Sequence, residues 1–518
     1  MSAPSRVVIL GGGISGLSAA YFLANALPKI KITLLESSER WGGWIRSSRE
    51  GDQGVLFERG PHTLRCNGAG GYVLIDTISR LNLLPELITV PKTQPAAKNR
   101  FIYHSGRLNQ LPTSPLSLLF DRSPALKGLI TGALREPFVS RISDDVEDES
   151  VYDFVSRRFN DNIASNLISA VMHGIYAGDA RELSVRATMP YLWDAEKVYG
   201  SVLLGMIRGG LETYREKGIK WRARRENFDL YEHMDKVSMF SFKNGVESLP
   251  QALVKALSQM PNVKMETNQH VLQLMFENDR VRLMLSSNEL EADHVISALP
   301  SPALHQLLTG TTPLPHLTHN PSVNVGVVNL AYSSGEVPDG FGFLVPELFI
   351  QESKGVLGII FDSRALPEQD ERPITKLTVM IGGARLPHAF PGQDPSTITK
   401  QQLLELATDT VKQTLGIQAP PVLSAVGMQQ GCIPQYQVGH IGRMQELHRA
   451  MQSTTGHRLS VTGSSYNGIG IKDCVLASWT LVEDLCKFGA LASQPSFVVT
   501  GLNVLEDQSL ERFAVGAK

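Results

Sequence analysis

Gly11-Gly12-Gly13-Ile14-Ser15-Gly16, near the start of the chain, has the residue types and spacing to hold a pyrophosphate. The apolar run Val7-Val8-Ile9-Leu10 precedes it, and a helix-like stretch follows. Glu36 closes a second β-type run, Ile32-Thr33-Leu34-Leu35. In such a βαβ unit Gly11 permits a tight turn, Gly13 lets backbone approach phosphate, and Gly16 lets helix and strand pack closely. The helix start turns free N–H groups toward the anion, and Glu36 is placed to accept hydrogen bonds from a ribose. The competing reading is a glycine turn without a ligand; strand, helix and acid in the required order favour a dinucleotide.

A second glycine pair follows in Arg40-Trp41-Gly42-Gly43-Trp44-Ile45-Arg46-Ser47. Adjacent glycines beside an arginine suit another backbone approach to a pyrophosphate, with a countercharge. A glycine-rich hairpin with a surface arginine fits the same residues. Late in the chain, the run from Leu459 to Gly463 reads as a strand. The loop Ser464-Ser465-Tyr466-Asn467 and the segment Gly468-Ile469-Gly470-Ile471 then lead to a helix expected near Val475. Glycines again meet a helix N-terminus, which suits either a ligand loop or a plain helix cap.

Length and composition limit the elements that position these residues. The 518 residues imply two or three domains, and 42% hydrophobic with 19% charged residues describe an ordinary globular protein. A net charge of −2 gives no electrostatic case for nucleic acid. Cys66, Cys432, Cys474 and Cys486 are too few for a disulfide scaffold and lack zinc spacing. Neither histidine of interest, His62 or His173, has a metal-ligand pattern, so no metal is assigned. With Val7 already in a strand, a cleavable leader is not expected, and any targeting is expected to be internal. Residues 295–335 lack Asp, Glu, Lys and Arg but are broken by five prolines and interrupted by several His and Asn residues, so they read as loops and strands.

Residues 71–83 read as a helix after the first βαβ unit. Residues 111–120 and 126–134 are short apolar segments, open to two readings: a buried helical pair, or helices lying in a bilayer interface. Residues 144–149 read as a solvated acidic loop, and residues 215–236 as an exposed charged excursion. An amphipathic helix is expected within 242–257, short strands within 263–285, and a strand ending at Pro300. Further strands are expected at 323–330 and 377–380, with a helix over 401–415. The tail after Lys487 is unassigned and expected to be partly disordered.

Together, the early βαβ unit, the Gly42-Gly43 pair and the late glycine segment resemble the FAD-binding half of the flavin amine oxidase superfamily. Glu36–Ser47 (ESSERWGGWIRS), 95–112 (PAAKNRFIYHSGRLNQLP), 174–184 (GIYAGDARELS), 292–300 (ADHVISALP), 341–346 (FGFLVP) and 431–440 (GCIPQYQVGH) narrow this. In that order they resemble the protoporphyrinogen oxidase family, in its eukaryotic mitochondrial branch. The implied fold is α/β: an FAD-binding Rossmann-like domain, a discontinuous α+β substrate domain and a helical membrane-associating domain. The implied boundaries are 1–90, 238–300 and 441–487 for FAD, 91–237 for the helical region, 301–440 for substrate, and 488–518 for a tail of unknown role.

The resemblance implies oxidation of protoporphyrinogen IX to protoporphyrin IX in haem biosynthesis, with non-covalent FAD and dioxygen as acceptor. It further implies a peripheral homodimer on the intermembrane-space side of the mitochondrial inner membrane, with ferrochelatase as possible product acceptor. The implied cofactor residues are Gly11, Gly12, Gly13, Ile14, Ser15, Gly16, Glu36, Arg40, Gly43, Trp44, Gly60, Pro61, His62, Thr63, Val271, Ser464, Ile469, Gly470 and Ile471. For substrate it implies Arg100 on a propionate, Phe341 and Leu344 as a wall, Met380 nearby, and Gly174 where backbone must come close. Core packing is the competing reading for Met380, Phe341 and Leu344, and a helix-ending glycine for Gly174. His62 and His173 stand where mammalian relatives have arginine, which leaves their side-chain roles open. Cys432 reads as structural. A flavin oxidase acting on amines or polyenes is the alternative activity. An escort protein of the same fold would lack the intact glycine segments.

Overall fold

The computed structural model describes residues 6–505 apart from 53, 114–122, 210–211, 278–279, 311 and 495. Val7-Val8-Ile9-Leu10 forms the strand Arg6–Leu10, which is apolar because it has parallel neighbours on both sides and a helix layer over it. Its sheet has five strands in the order Leu459–Val461, His294–Ser297, Arg6–Leu10, Lys31–Leu35 and Val263–Glu266. Segments far apart in the chain thus build one parallel sheet. Helices Ile14–Ala26 and Ile471–Lys487 pack together on it, and Ser478 Oγ donates to the Ser15 carbonyl at 2.9 Å.

A second, seven-stranded sheet runs Leu423–Pro434, Ser322–Tyr332, Thr375–Gly382, Val356–Ile360, Gly342–Leu344, Phe101–His104 and Arg107–Gln110. Strand Phe101–His104 joins it in parallel beside Gly342–Leu344, the rest being antiparallel. Residues 123–236 are mostly helical. Their interior holds an ionic cluster in which fully buried Arg158 donates from Nε to Glu136 at 2.8 Å, while Glu136 also accepts from Val202 N at 2.8 Å. Such a cluster is tolerated because nearly every lone pair and proton in it is used.

Several expectations shift. The helix expected at 71–83 is Gly68–Arg80, beginning three residues earlier because positive-φ Gly68 can open it. The helix after the late glycine segment begins at Ile471 rather than near Val475, so Gly470 is its N-cap. Residues 215–236 are helices Tyr214–Glu226 and Phe228–Met234, not a loose excursion. Ile219, Tyr231 and Met234 supply a buried stripe among the charges, and a Thr213–Glu216 capping box starts the first helix. The acidic 144–149 loop is tied down at Asp148, which accepts from Ser184 Oγ at 2.8 Å and Gly439 N at 2.7 Å. The described residues of the tail up to 505 pack onto the fold: Leu491, Val499 and Leu502 are buried, and Val461 N donates to Thr500 O at 2.8 Å. Most of the apolar 111–120 segment lies outside the described residues, and 126–134 contributes the short helix Leu129–Arg135. Among the described residues no helix is long and apolar enough to cross a membrane.

Candidate active site

The turn after Leu10 is built as its glycines require. Gly11 has φ +97°, and a Cβ on Gly16 would overlap the Gly11 carbonyl oxygen. A Cβ on Gly12 would overlap the Trp41 ring, so Trp41 rather than a ligand makes that glycine necessary. Gly13 is different. Its backbone (φ −72°, ψ 179°) suits any residue, and its Cβ would meet nothing nearer than Gly43 Cα at 3.9 Å. Helix Ile14–Ala26 starts there without a side-chain cap, leaving the first-turn N–H groups of Ile14, Ser15 and Gly16 for a ligand.

Glu36 lies beside this turn. One oxygen accepts from Gly12 N at 2.6 Å and the other from Ser38 N at 2.8 Å and Ser38 Oγ at 2.7 Å, which fixes the carboxylate and leaves a lone pair on the first oxygen. Gln269 N donates to the Glu36 carbonyl at 2.9 Å, bringing half-buried Val271 to the same edge. Gly42 N donates to Gly12 O at 2.9 Å, so the two glycine turns lie side by side. Arg40 wraps its own loop, donating to the carbonyls of Trp41 at 3.0 Å, Ile45 at 3.3 Å and Gly43, and pairs with Glu247 at 3.5 Å. Gly60 backs onto the Trp44 carbonyl, which a Cβ would overlap; Pro61, His62 and Thr63 continue from there. Helix Ile471–Lys487 is likewise uncapped by any side chain at Gly470. The loop before it is anchored by the Tyr436 hydroxyl donating to Ser464 O, and Ile469 packs against the helical core.

The residues expected at the substrate form two groups. Arg100 lies half-buried over the Phe341 ring at 4.6 Å, with Nη1 donating to the carbonyls of Ala96 and, at 3.2 Å, Asn99. It has no carboxylate partner among the described residues, and burial, aided by the like charge of Arg65, pulls it down to about 10. The second group is set by register. Leu344, Gly358 and Met380 are successive cross-strand partners, so they share one face, with the glycine leaving a gap between the two side chains. Gly174 meets this row from helix Ser169–Tyr176: its Cβ would lie 2.8 Å from Leu344 Cδ2.

Two histidines whose roles the sequence left open prove to be braces. His173 is buried, with Nδ1 2.7 Å from Val345 O and Nε2 accepting from Arg385 Nε at 3.2 Å. Burial and the Arg385 charge push it down to about 4, so the ring is neutral and Nδ1–H is the donor. It thereby fixes Gly174 against the end of strand Gly342–Leu344. His62 is also buried, with Nδ1 2.9 Å from Asp362 Oδ1. Burial alone would lower its pKa, but the Asp362 charge and hydrogen bond outweigh that and raise it. Thr378 Oγ1 donates to the other Asp362 oxygen at 2.7 Å, and Asn329 Nδ2 donates to Thr378 Oγ1 at 2.8 Å. Glu58, in the same cluster, is raised by burial to about 7. Asp362, Thr378 and Asn329 carried no motif; only the pairing of sheet strands brings them to His62. Cys432 is half-buried on the outer strand and pushed by burial to about 11, in keeping with a structural thiol.

The profile of the flavin containing amine oxidoreductase family matches residues 14–486. The chain is 39% identical to human protoporphyrinogen oxidase over 478 residues, covering 90% of this chain and 96% of that one. It is 35% identical to the Schizosaccharomyces pombe protoporphyrinogen oxidase, covering 91% and 96%. The chain belongs to the protoporphyrinogen oxidases. Cyclohexylamine oxidase from Brevibacterium oxydans shares the fold, with a TM-score of 0.62 at 16% identity over 93% of this chain and 99% of that one. A flavoprotein oxidoreductase of this family uses FAD, and the residues present fit it. The open space at Gly13, two uncapped helix starts and the fixed Glu36 carboxylate are the parts a dinucleotide diphosphate and ribose need.

Proposed function

We propose that this chain is an oxygen-dependent protoporphyrinogen oxidase acting at a mitochondrial membrane surface. Protoporphyrinogen IX loses six electrons as three hydrides and three protons, giving protoporphyrin IX for haem biosynthesis; dioxygen takes the electrons and leaves as hydrogen peroxide. FAD, when bound, supplies the two-electron acceptor. The chain's own task is orientation and exclusion of water. Its glycine turns and helix starts hold the dinucleotide, and Glu36 takes the ribose. Arg100 receives a propionate through the guanidinium edge its backbone contacts leave free. Phe341, Leu344 and Met380 supply apolar walls, and Gly174 allows close approach.

Arg100 carries the reading. A half-buried guanidinium stacked on an aromatic ring, with no acid beside it among the described residues, is poised for an anionic ligand. Red porphyrin fluorescence should appear when protoporphyrinogen is added to the yellow holoprotein under air, above a no-enzyme autoxidation control, with one peroxide formed per electron pair. No rate above the control, with flavin bound, would refute the activity.

A membrane surface is favoured by the apolar side chains on helices Leu129–Arg135 and Val202–Arg208 and the turn between helices. Phe138 is 87% exposed and Ile207 81%, with Leu134 and Met206 also exposed. A poorly soluble substrate and product suit such a site. The intermembrane-space side of the inner membrane, a homodimer and delivery of product to ferrochelatase follow the family resemblance. A relative from Arabidopsis thaliana, 26% identical, is named as chloroplastic/mitochondrial.

A further inference from the structure

Arg65 is exposed and makes no ion pair or hydrogen bond among the described residues, yet it lies close enough to Arg100 to repel it. The fold brings the two together by a short route. Leu64 exchanges backbone hydrogen bonds with Phe240, at 2.8 and 2.9 Å, which pins the chain just before Arg65. Phe240 pairs on its other side with Thr89 of strand Leu87–Pro91, and that strand leads through helix Pro95–Lys98 to Arg100. Ile88, Val90, Ala96 and Met239 form one small apolar cluster with Phe341 against it, so the base of this corner is rigid.

Within that corner Arg100 is oriented and Arg65 is not. The Phe341 ring covers one face of the Arg100 guanidinium, and Nη1 is occupied by two backbone carbonyls. What remains is one edge, enough for one carboxylate. Two unpaired guanidiniums held near each other raise the energy of the empty protein, and a ligand bearing two carboxylates relieves it. The substrate proposed above has two, on neighbouring pyrroles.

We propose that Arg65 is a second carboxylate-binding residue, which with Arg100 grips both propionates and so sets which edge of the macrocycle faces the flavin. The inference rests on the protoporphyrinogen reading. One arginine alone would leave the macrocycle free to swing about its single anchored propionate. Two points of attachment remove that freedom, and Arg65, being exposed, adds affinity on the modest scale of a surface ion pair.

The test uses the holoenzyme with Arg65→Gln, Arg65→Lys and Arg100→Gln, assayed on protoporphyrinogen IX and on its dimethyl ester. Binding of the fluorescent product protoporphyrin IX gives a readout independent of turnover. Arg65→Gln should raise KM for the diacid about fivefold, the scale of an exposed ion pair, with a smaller change in kcat. The same substitution should leave KM for the ester unchanged, weaken product binding in parallel, and lose its effect at high salt. Arg65→Lys, which keeps the charge, should recover most of the affinity and guards against a folding artefact. Equal KM for Arg65→Gln and wild type, or an equal rise for diacid and ester, would overturn the inference while the activity stands. A wild-type protein that does not oxidise protoporphyrinogen would instead overturn the reading beneath it.

Discussion

Replacing Gly13 by alanine separates what the protein needs from what its cofactor needs. A Cβ there meets only Gly43 Cα, at 3.9 Å, an ordinary contact, and the backbone at φ −72°, ψ 179° carries no strain. Lower chain entropy in the unfolded state favours alanine by about 0.4–1 kcal/mol, while alanine is a poorer N-cap than glycine by a similar amount. The two oppose, so the apoprotein should melt within about 2 °C of wild type. With FAD present, the methyl fills space the pyrophosphate approaches. An overpacking cost of about 1–3 kcal/mol weakens FAD roughly 5- to 150-fold. Titrating apoprotein with FAD and following flavin fluorescence gives the affinity; a melt of the same apoprotein gives the stability. Gly16→Ala is the contrast: its Cβ overlaps the Gly11 carbonyl oxygen, so this variant should fail to fold with or without FAD. Wild-type FAD affinity in Gly13→Ala, or loss of apoprotein stability, would refute the argument.

Glu58 should make stability fall with pH. Burial raises its carboxyl from 4.5 to about 7. The folded state therefore binds that proton more tightly, and a contribution of about 3 kcal/mol present below pH 4.5 is lost as pH rises through 7. His62, also raised, is stabilising below its unfolded pKa of 6.5 and loses that contribution as pH rises through its folded value, so it adds in the same direction. Glu58→Gln can keep the Val246 N and Ser47 contacts, at 2.8 and 2.6 Å, and should flatten most of the slope between pH 5 and 8 in denaturant melts; an unchanged slope refutes it. Gly174→Ala forces Leu344 aside, its Cδ atoms being 2.8 and 2.9 Å from the added carbon. The flexible side chain can yield at about 1–3 kcal/mol, so the variant should keep flavin while kcat/KM falls, and wild-type kinetics would count against close approach of substrate at Gly174. Replacing Phe138 and Ile207 together by serine should leave the melting temperature unchanged and reduce flotation with liposomes; equal flotation would remove this patch from membrane attachment.

The glycine turns were legible because backbone conformation and close approach restrict residue type. Gly11, Gly42 and Gly43 take positive φ, and Gly16 packs against the Gly11 carbonyl, constraints that are written in residue type. The central strand of the five-stranded sheet could be anticipated as well, since Val7-Val8-Ile9-Leu10 is an uninterrupted apolar run. Elements whose apolar stripe is sparse were read less well. Ile219, Tyr231 and Met234 hide a packed pair of helices inside a charged segment, and Leu491 and Val499 fasten a tail with no periodic pattern.

By itself, then, the sequence determined the glycine turns and, through motif order, the family. Tertiary structure decided which side chains face one another across chain distances no spacing rule reaches. His62 with Asp362, and Leu344 with Gly358 and Met380, meet through strand register. His173 meets Val345 and Arg385 through helix docking. Arg100 and Arg65 become neighbours through one backbone bridge, at Leu64 and Phe240. A hydrogen bond or a charge pair depends on angstroms, and those are set only when the sheets and helices have packed.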